Sequence, residues 1–263
     1  MHHPKLKTVA ACAVLLAGCG GSDADHAGDN AQRSASLPKG DTVVKIDPSQ
    51  FSIDITNSYW PMPPGRRWTY VEREADGTEA TATTVVTGET KVLANGVTAR
   101  VVRDTLTRDG EIIEDTIDYF AQDRAGNIWY FGEQTAEFEN GVITTTQGSF
   151  EAGADGAMGG IAVPADPAVG MVYRQEYLKG EAEDNGQVLS TDELAEVPTG
   201  SYRNVLLTKD TTPLEPDLLE YKFYAKGVGP VLVVTASGGS TRTELIQIDT
   251  APDGTGTGPL RKP

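Results

Sequence analysis

Thr81-Ala82-Thr83-Thr84-Val85-Val86-Thr87 opens a series of β-branched runs that decides the fold. It is followed by the runs 97–105, 112–121 and 127–131, all rich in Val, Ile, Thr, Tyr and Phe. Asp76-Gly77, Asn95-Gly96, Asp109-Gly110 and Gly126-Asn127 punctuate them. Each dipeptide suits a tight hairpin turn that needs positive φ. Strands in quick succession with short turns make an antiparallel meander and not alternating βα units. No amphipathic helical stretch of useful length accompanies them; 191–197 would give a turn or two at most.

Outward from this series the chain repeats its pattern. Pro64-Gly65-Arg66-Arg67-Trp68-Thr69-Tyr70 is echoed by Val169-Gly170-Met171-Val172-Tyr173-Arg174-Gln175. The segment 96–105 is echoed by 200–211, and Asp118-Tyr119-Phe120-Ala121 by Lys222-Phe223-Tyr224-Ala225. The Gly126 turn before Ile128-Trp129-Tyr130-Phe131 matches the Gly229 turn before Val231-Leu232-Val233-Val234. A nearly constant offset between such anchors indicates an internal repeat. The expected architecture is all-β: two tandem antiparallel meanders forming one curved sheet or a partly open barrel. Repeat 1 covers about 60–150 and repeat 2 about 164–249, in a single domain spanning 41–249. The Gly-, Ala- and Pro-rich stretch 151–170 reads as the connector, after a hairpin turning at Asn140-Gly141. Residues 19–40 read as a flexible tether with almost no large apolar side chain, and 250–263 as a disordered tail.

The N-terminus supplies an address. Lys5 and Lys7 precede a short apolar run, 8–17, that ends in small residues and is too short to span a bilayer as a helix. Residues 1–18 thus read as a secretion signal. Leu16-Ala17-Gly18-Cys19 resembles the lipobox of bacterial lipoproteins, which implies cleavage before Cys19 and acylation of that cysteine. Gly20 in the next position resembles lipoproteins sent to the outer membrane of cells that have two membranes.

Composition then narrows the chemistry. From Ala27 to Pro263 there is no histidine and no cysteine. Ser-His-Asp and Cys-His nucleophilic sites need an imidazole base, and zinc, copper and iron sites of the usual kind need imidazole or thiolate. Disulfides cannot staple the fold. Oxygen-ligated hard metals and carboxylate catalysis survive. The formal charge of -16 becomes -18 once Lys5 and Lys7 leave with the leader. Such a balance argues against nucleic acid, whose binding rests on cationic contacts to phosphate. It equally disfavours adhesion to anionic lipid, so the membrane partnership would run through the acyl chains alone.

Several motifs carry a wider likeness. Pro64-Gly65-x-x-Trp68-x-Tyr70, Val102-Arg103-Asp104, Glu114-Asp115-Thr116, Ala121-Gln122-Asp123 and Gly126-Asn127-x-Trp129-Tyr130-Phe131-Gly132-Glu133 resemble a family of uncharacterised bacterial lipoproteins and secreted proteins. Tyr173-Arg174-Gln175-Glu176-Tyr177, Lys179-Gly180-Glu181-Ala182-Glu183-Asp184 and Thr212-Pro213-Leu214-Glu215-Pro216 extend the resemblance over nearly all of the folded part. It implies an envelope location and no catalytic assignment. In architecture alone, tandem meanders behind a lipid anchor are similar to half-barrel lipoprotein carriers, and architecture does not give function.

Three candidate sites stand out. Alternation puts Ile128 and Tyr130 on one face of their strand and Trp129 and Phe131 on the other, so both faces are apolar. Either both are covered, or Trp129 and Phe131 line a cleft for a small molecule, joined by Trp68 and Trp60. Asp115 shares a face with Ile113, Ile117, Tyr119 and Ala121; a carboxylate there needs a partner, and Arg100 or Arg103 could serve. Glu181, Glu183 and Asn185 followed by Gly186 have the oxygen spacing that begins a calcium loop, although Asp192 stands where a bidentate Glu belongs. An acidic hairpin turn explains the same residues. The reading is a lipid-anchored envelope binding or interaction module, possible partners being an apolar or amphipathic small molecule or an envelope protein. The alternatives are a carboxylate hydrolase acting on glycans, which needs two acids across a cleft, and a structural lipoprotein without ligand. No cofactor other than calcium is expected.

Overall fold

The computed structural model of the chain describes residues 37–260. The leader, Cys19 and residues 20–36 lie outside the described residues, as do 261–263. The described part is β throughout, apart from one turn of 3-10 helix at Pro48–Gln50. The strands are β1 (Phe51–Ser52), β2 (Arg66–Arg73), β3 (Glu79–Val92), β4 (Thr98–Arg108), β5 (Glu111–Asp123) and β6 (Ile128–Glu139). A short excursion follows through β7 (Val142–Thr145), β8 (Phe150–Glu151) and β9 (Met158–Val163). The second half comprises β10 (Val172–Arg174), β11 (Glu176–Tyr177), β12 (Asn185–Val197), β13 (Gly200–Thr211), β14 (Leu219–Ala225), β15 (Gly229–Ser237) and β16 (Arg242–Thr250). The dipeptides expected to turn the chain do so. Asp109 and Gly110 have φ of 52° and 84°, and Asn140 and Gly141 of 53° and 76°, the left-handed pair that matches strand twist in a two-residue hairpin.

All sixteen strands belong to one antiparallel sheet. Strands β2 to β6 are paired in sequence order, and so are β12 to β16. Each half is joined to the other by an extra strand. β16 pairs with β15 on one side and with β2 on the other. β9 pairs with β6 and with β11. The segment 172–177 completes the circuit, because its first part, β10, pairs with β12 and its second part, β11, pairs with β9. The sheet is therefore nearly closed into a barrel, interrupted only where Gln175 separates β10 from β11. The stretch 151–170, read from composition as a connector, contributes β9 to this wall. Residues 191–197, read as a turn or two, are the end of β12.

Closure gives the sheet an inside and an outside. Along β5, Glu114, Thr116, Asp118 and Phe120 face the interior. Asp115, Ile117, Tyr119 and Ala121 alternate with them and are buried on the outer side. That outer side is covered by chain from beyond both ends of the meanders. Phe51 of β1 packs edge-on against Trp129 and Phe131. At the other end of the chain, the carbonyls of Gly258 and Pro259 accept from Arg103 at 3.1 and 3.3 Å, and Leu260 packs against the core. Over 251–260 the tail expected to be disordered is laid along the barrel instead.

Two buried arginines organise these coverings. Arg103 donates through Nε to Asp115 Oδ1 at 2.6 Å and through Nη2 to Asp115 Oδ2, a bidentate pair, with Asp115 fully buried. The sequence left the partner open between Arg100 and Arg103. Arg100 instead reaches the carbonyls of Ile53 and Thr87. Arg174, at 1% exposure, donates to the carbonyls of Gly40, Thr42 and Gly159 at 2.7, 2.9 and 2.9 Å. Its own amide donates to Pro38 O at 2.7 Å. It thereby fixes the start of the described chain onto the closing strand.

Asp115→Ala leaves the Arg103 guanidinium buried without its counter-charge and should cost about 3–5 kcal/mol of stability. The double replacement Arg103→Met, Asp115→Leu should recover most of that loss. Urea denaturation midpoints of the two variants check it; equal loss in both would refute it.

Candidate functional site

One end of the barrel is plugged from within the chain. Residues 55–62 lie across it, held by Asn57, whose Nδ2 donates to Gly126 O at 2.9 Å and Pro164 O at 3.2 Å. Gln122 Oε1 accepts from the amides of Thr56 and Asn57, both at 2.8 Å, and Gly227 N donates to Ser58 O. Three strand ends are thus tied to one loop. From it Trp60 projects into the interior, where its ring meets Phe120 at 5.4 Å and Tyr224 at 6.0 Å between centroids. Phe120 in turn lies 4.9 Å from Tyr130. Four rings from the plug, β5, β6 and β14 form a continuous aromatic floor.

Above this floor is a cavity of about 370 Å³. Besides the rings, it is lined by Tyr70, Val102 and Val233 and by the carboxyl groups of Asp104, Glu114, Asp118, Glu133, Glu176 and Asp184. The acids come from alternate positions of neighbouring strands. Asp118 on β5 is registered against Glu133 on β6, and one step further along, Asp104 on β4 stands against Thr116. Lys222 on β14 is the one cationic residue of the lining, and its Nζ is 2.9 Å from Asp210 Oδ2.

Burial governs the protonation of these groups, because removing a carboxylate from water disfavours its charged form. It pushes Asp104 and Glu133 up to about 7 and Asp184 up to about 8. Asp118 and Glu176 are raised well above the usual carboxylate range, by burial first and then by acidic neighbours, Glu133 and Asp184 respectively. Burial pulls Lys222 down, but Asp210 and Glu220 outweigh it and hold the ammonium charged. The geometry at Tyr130 agrees with protonated acids. Its hydroxyl oxygen lies 2.8 Å from Asp118 Oδ1 and 2.7 Å from Glu133 Oε2. A phenol has one proton to donate, so the second short contact requires a proton on one of the two carboxyls.

Of the four aromatic residues expected on a ligand wall, the structure puts Trp60 in the cavity lining and the others elsewhere. Trp129 and Phe131 stack on each other at 5.7 Å on the outer side of β6, sealed by Phe51, and Trp129 Nε1 donates to Asp123 at 2.8 Å. The doubly covered strand, the other reading open for this run, is what is found. Trp68 is fully buried behind Trp60 and donates through Nε1 to Val228 O at 2.7 Å. The calcium reading does not fit either. Glu183 Oε1 accepts from the amide of Gly180 at 2.7 Å, Asn185 Nδ2 donates to the Glu183 carbonyl at 2.8 Å, and Glu181 is exposed, so the hairpin closes on itself. Among the described residues no group of three or more Asp, Glu, His or Cys is placed to hold a metal ion.

The interior acids escaped the sequence reading for an identifiable reason. Glu114, Thr116 and Asp118 alternate with apolar residues, and a polar face is ordinarily assigned to water. The apolar face of β5 that carries Asp115 is buried, as read from its neighbours, but it is the outer face. Only closure turns the polar side inward.

No family model and no curated protein matches the chain. Among solved structures it is similar to a candidate exported protein with a YmcC-like fold from Bacteroides fragilis, at 15% identity, with a TM-score of 0.45 over 74% of this chain and 100% of that one. A candidate lipoprotein from Parabacteroides distasonis is similar at 12% identity, with a TM-score of 0.41 over 73% of this chain and 99% of that one.

The raised acids set an unusual pH profile. Between the unfolded carboxylate range near pH 4 and their folded values of about 7 to 8, the native state binds more protons than the unfolded chain. Their stabilisation is complete below pH about 4 and is lost as pH rises toward 8. The melting temperature should therefore fall from pH 5 to pH 8.5, and a flat or rising profile in scanning calorimetry would contradict it.

Proposed function

We propose that the protein is a lipid-anchored envelope protein whose barrel encloses a small amphipathic molecule, held without covalent chemistry. The observation that carries this reading is the cavity of about 370 Å³ with an aromatic floor and polar wall. Its volume falls in the range of about 300–1,000 Å³ common for small-molecule sites, as does its mixture of apolar surface with a few polar groups. The anchor rests on the lipobox-like Leu16-Ala17-Gly18-Cys19, with Gly20 favouring the outer membrane where there are two. A carboxylate hydrolase is the second reading, supported by Asp118 and Glu133 on either side of the Tyr130 hydroxyl. It fits less well, since Asp118 and Glu133 are cross-strand neighbours on one wall and do not face each other across a cleft.

Trp60 reports on occupancy, because Trp68 and Trp129 lie outside the lining. Adding alkyl-chain ligands to the delipidated protein should shift tryptophan emission, in Trp129→Phe as in the unmodified chain, but not in Trp60→Phe. Unchanged emission with every alkyl ligand would overturn the binding reading. For the anchor, Cys19→Ala should move the protein from the membrane pellet to the soluble envelope fraction. Retention in the pellet would overturn it.

A further inference from the structure

We infer that the molecule held in the barrel is an organic cation, an amine or ammonium group on an apolar body, with its charge at Glu176 and Asp184 and its body over the ring of Trp60. This rests on the proposed binding role of the cavity and adds the ligand's charge to it. Three independent observations support it.

The first is the balance of charge. Six carboxyl groups line the cavity against a single cation, Lys222, which is paired with Asp210 and whose charge, though it also acts on Glu176 and Asp184, does not outweigh their burial. An anionic amphiphile such as a fatty acid would find no uncommitted cation here, whereas an ammonium group can take the place of the protons that burial holds on Glu176 and Asp184.

The second is a pair of acids with open hydrogen-bonding capacity side by side, Glu176 on the closing strand and Asp184 just before β12, where the amides of Gln175 and Glu176 donate to the Asp184 carbonyl. Glu176 is only 8% exposed, lines the cavity, and makes no side-chain hydrogen bond or ion pair among the described residues. Asp184 Oδ1 is buried without a hydrogen-bond partner. Buried polar groups are nearly always paired, so unpaired ones that face a cavity mark where a ligand completes them. A protonated amine donates to both carboxyls, and charge-assisted bonds of that kind are the strong ones.

The third is the shape of the donor set. The carboxyls are spread over β4, β5, β6, the closing strand and the loop before β12, and among the described residues no three acids converge to coordinate a metal ion. The same cavity carries Trp60, Phe120, Tyr130 and Tyr224 in mutual contact. Aromatic faces attract cations, Trp most strongly, and a diffuse organic charge suits a dispersed acidic wall where a compact metal ion does not.

Isothermal titration with octylammonium, 1-octanol and octanoate at pH 7.5 tests this. Octylammonium should bind about tenfold or more tighter than octanol, as one charge-assisted hydrogen bond implies, while octanoate should show no binding. Glu176→Gln should remove most of the preference for the ammonium and leave octanol binding unchanged. Should that variant fail to fold, Asp184→Asn serves the same purpose. Octanol binding as tightly as octylammonium, or a preference untouched by the substitutions, overturns the cationic ligand and leaves the cavity's binding role standing. Failure of all three ligands to bind overturns both.

Discussion

Residues 172–177 pair with β12 through their first half and with β9 through their second, and the character of the whole interior depends on that double pairing. A sheet that stayed open here would leave Asp118, Glu133 and Asp104 in water, with ordinary acidity and no neighbours of consequence. Because the wall nearly closes, those side chains share one desolvated space. Their protonation, their dependence on one another and the volume they enclose all follow from it. The paired construction, with β16 and β9 each bridging the two meanders, brings the ends near enough for six residues to complete the circuit.

The energetic logic is divided between the two sides of the wall. Outside, charge is neutralised permanently: Arg103 and Asp115 form a bidentate pair, and the C-terminal segment at Gly258 and Pro259 lies over it. Inside, charge is neutralised provisionally, by protons on Asp118, Glu133 and their neighbours. A buried ion pair with well-made hydrogen bonds specifies a unique arrangement, whereas a set of half-protonated acids can be rearranged by whatever enters. The fold thus keeps its rigid electrostatics apart from its adaptable ones.

Much of the architecture was legible in the sequence. β-branched runs separated by Asp-Gly and Asn-Gly turns, and the echo of Pro64–Tyr70 in Val169–Gln175, lead directly to two meanders in one sheet. Asp115 could be recognised as a buried charge because its neighbours at alternate positions are Ile113, Ile117 and Tyr119. The cavity was not legible, because alternation states that a strand has two faces and does not say which one the curvature encloses. For Trp129 and Phe131 the sequence leaves a covered strand and a ligand wall both open, because a strand apolar on both faces fits either, and here Phe51 covers them on the convex side. Trp60 was the exception: it reaches the interior from a loop, so no periodicity governed its placement.

The contacts of Arg174 with the carbonyls of Gly40 and Thr42 have a mechanical meaning. A protein held at its N-terminal end feels tension along the chain that leads to that end, and here the chain meets the barrel at the strand that completes it. Any pull arriving through Lys39 is delivered first to Arg174, and from there to the seam beside Gln175. The barrel is thus loaded at its least continuous point. The backbone amide of Arg174, holding Pro38, and its guanidinium, holding Gly40 and Thr42, would share that load.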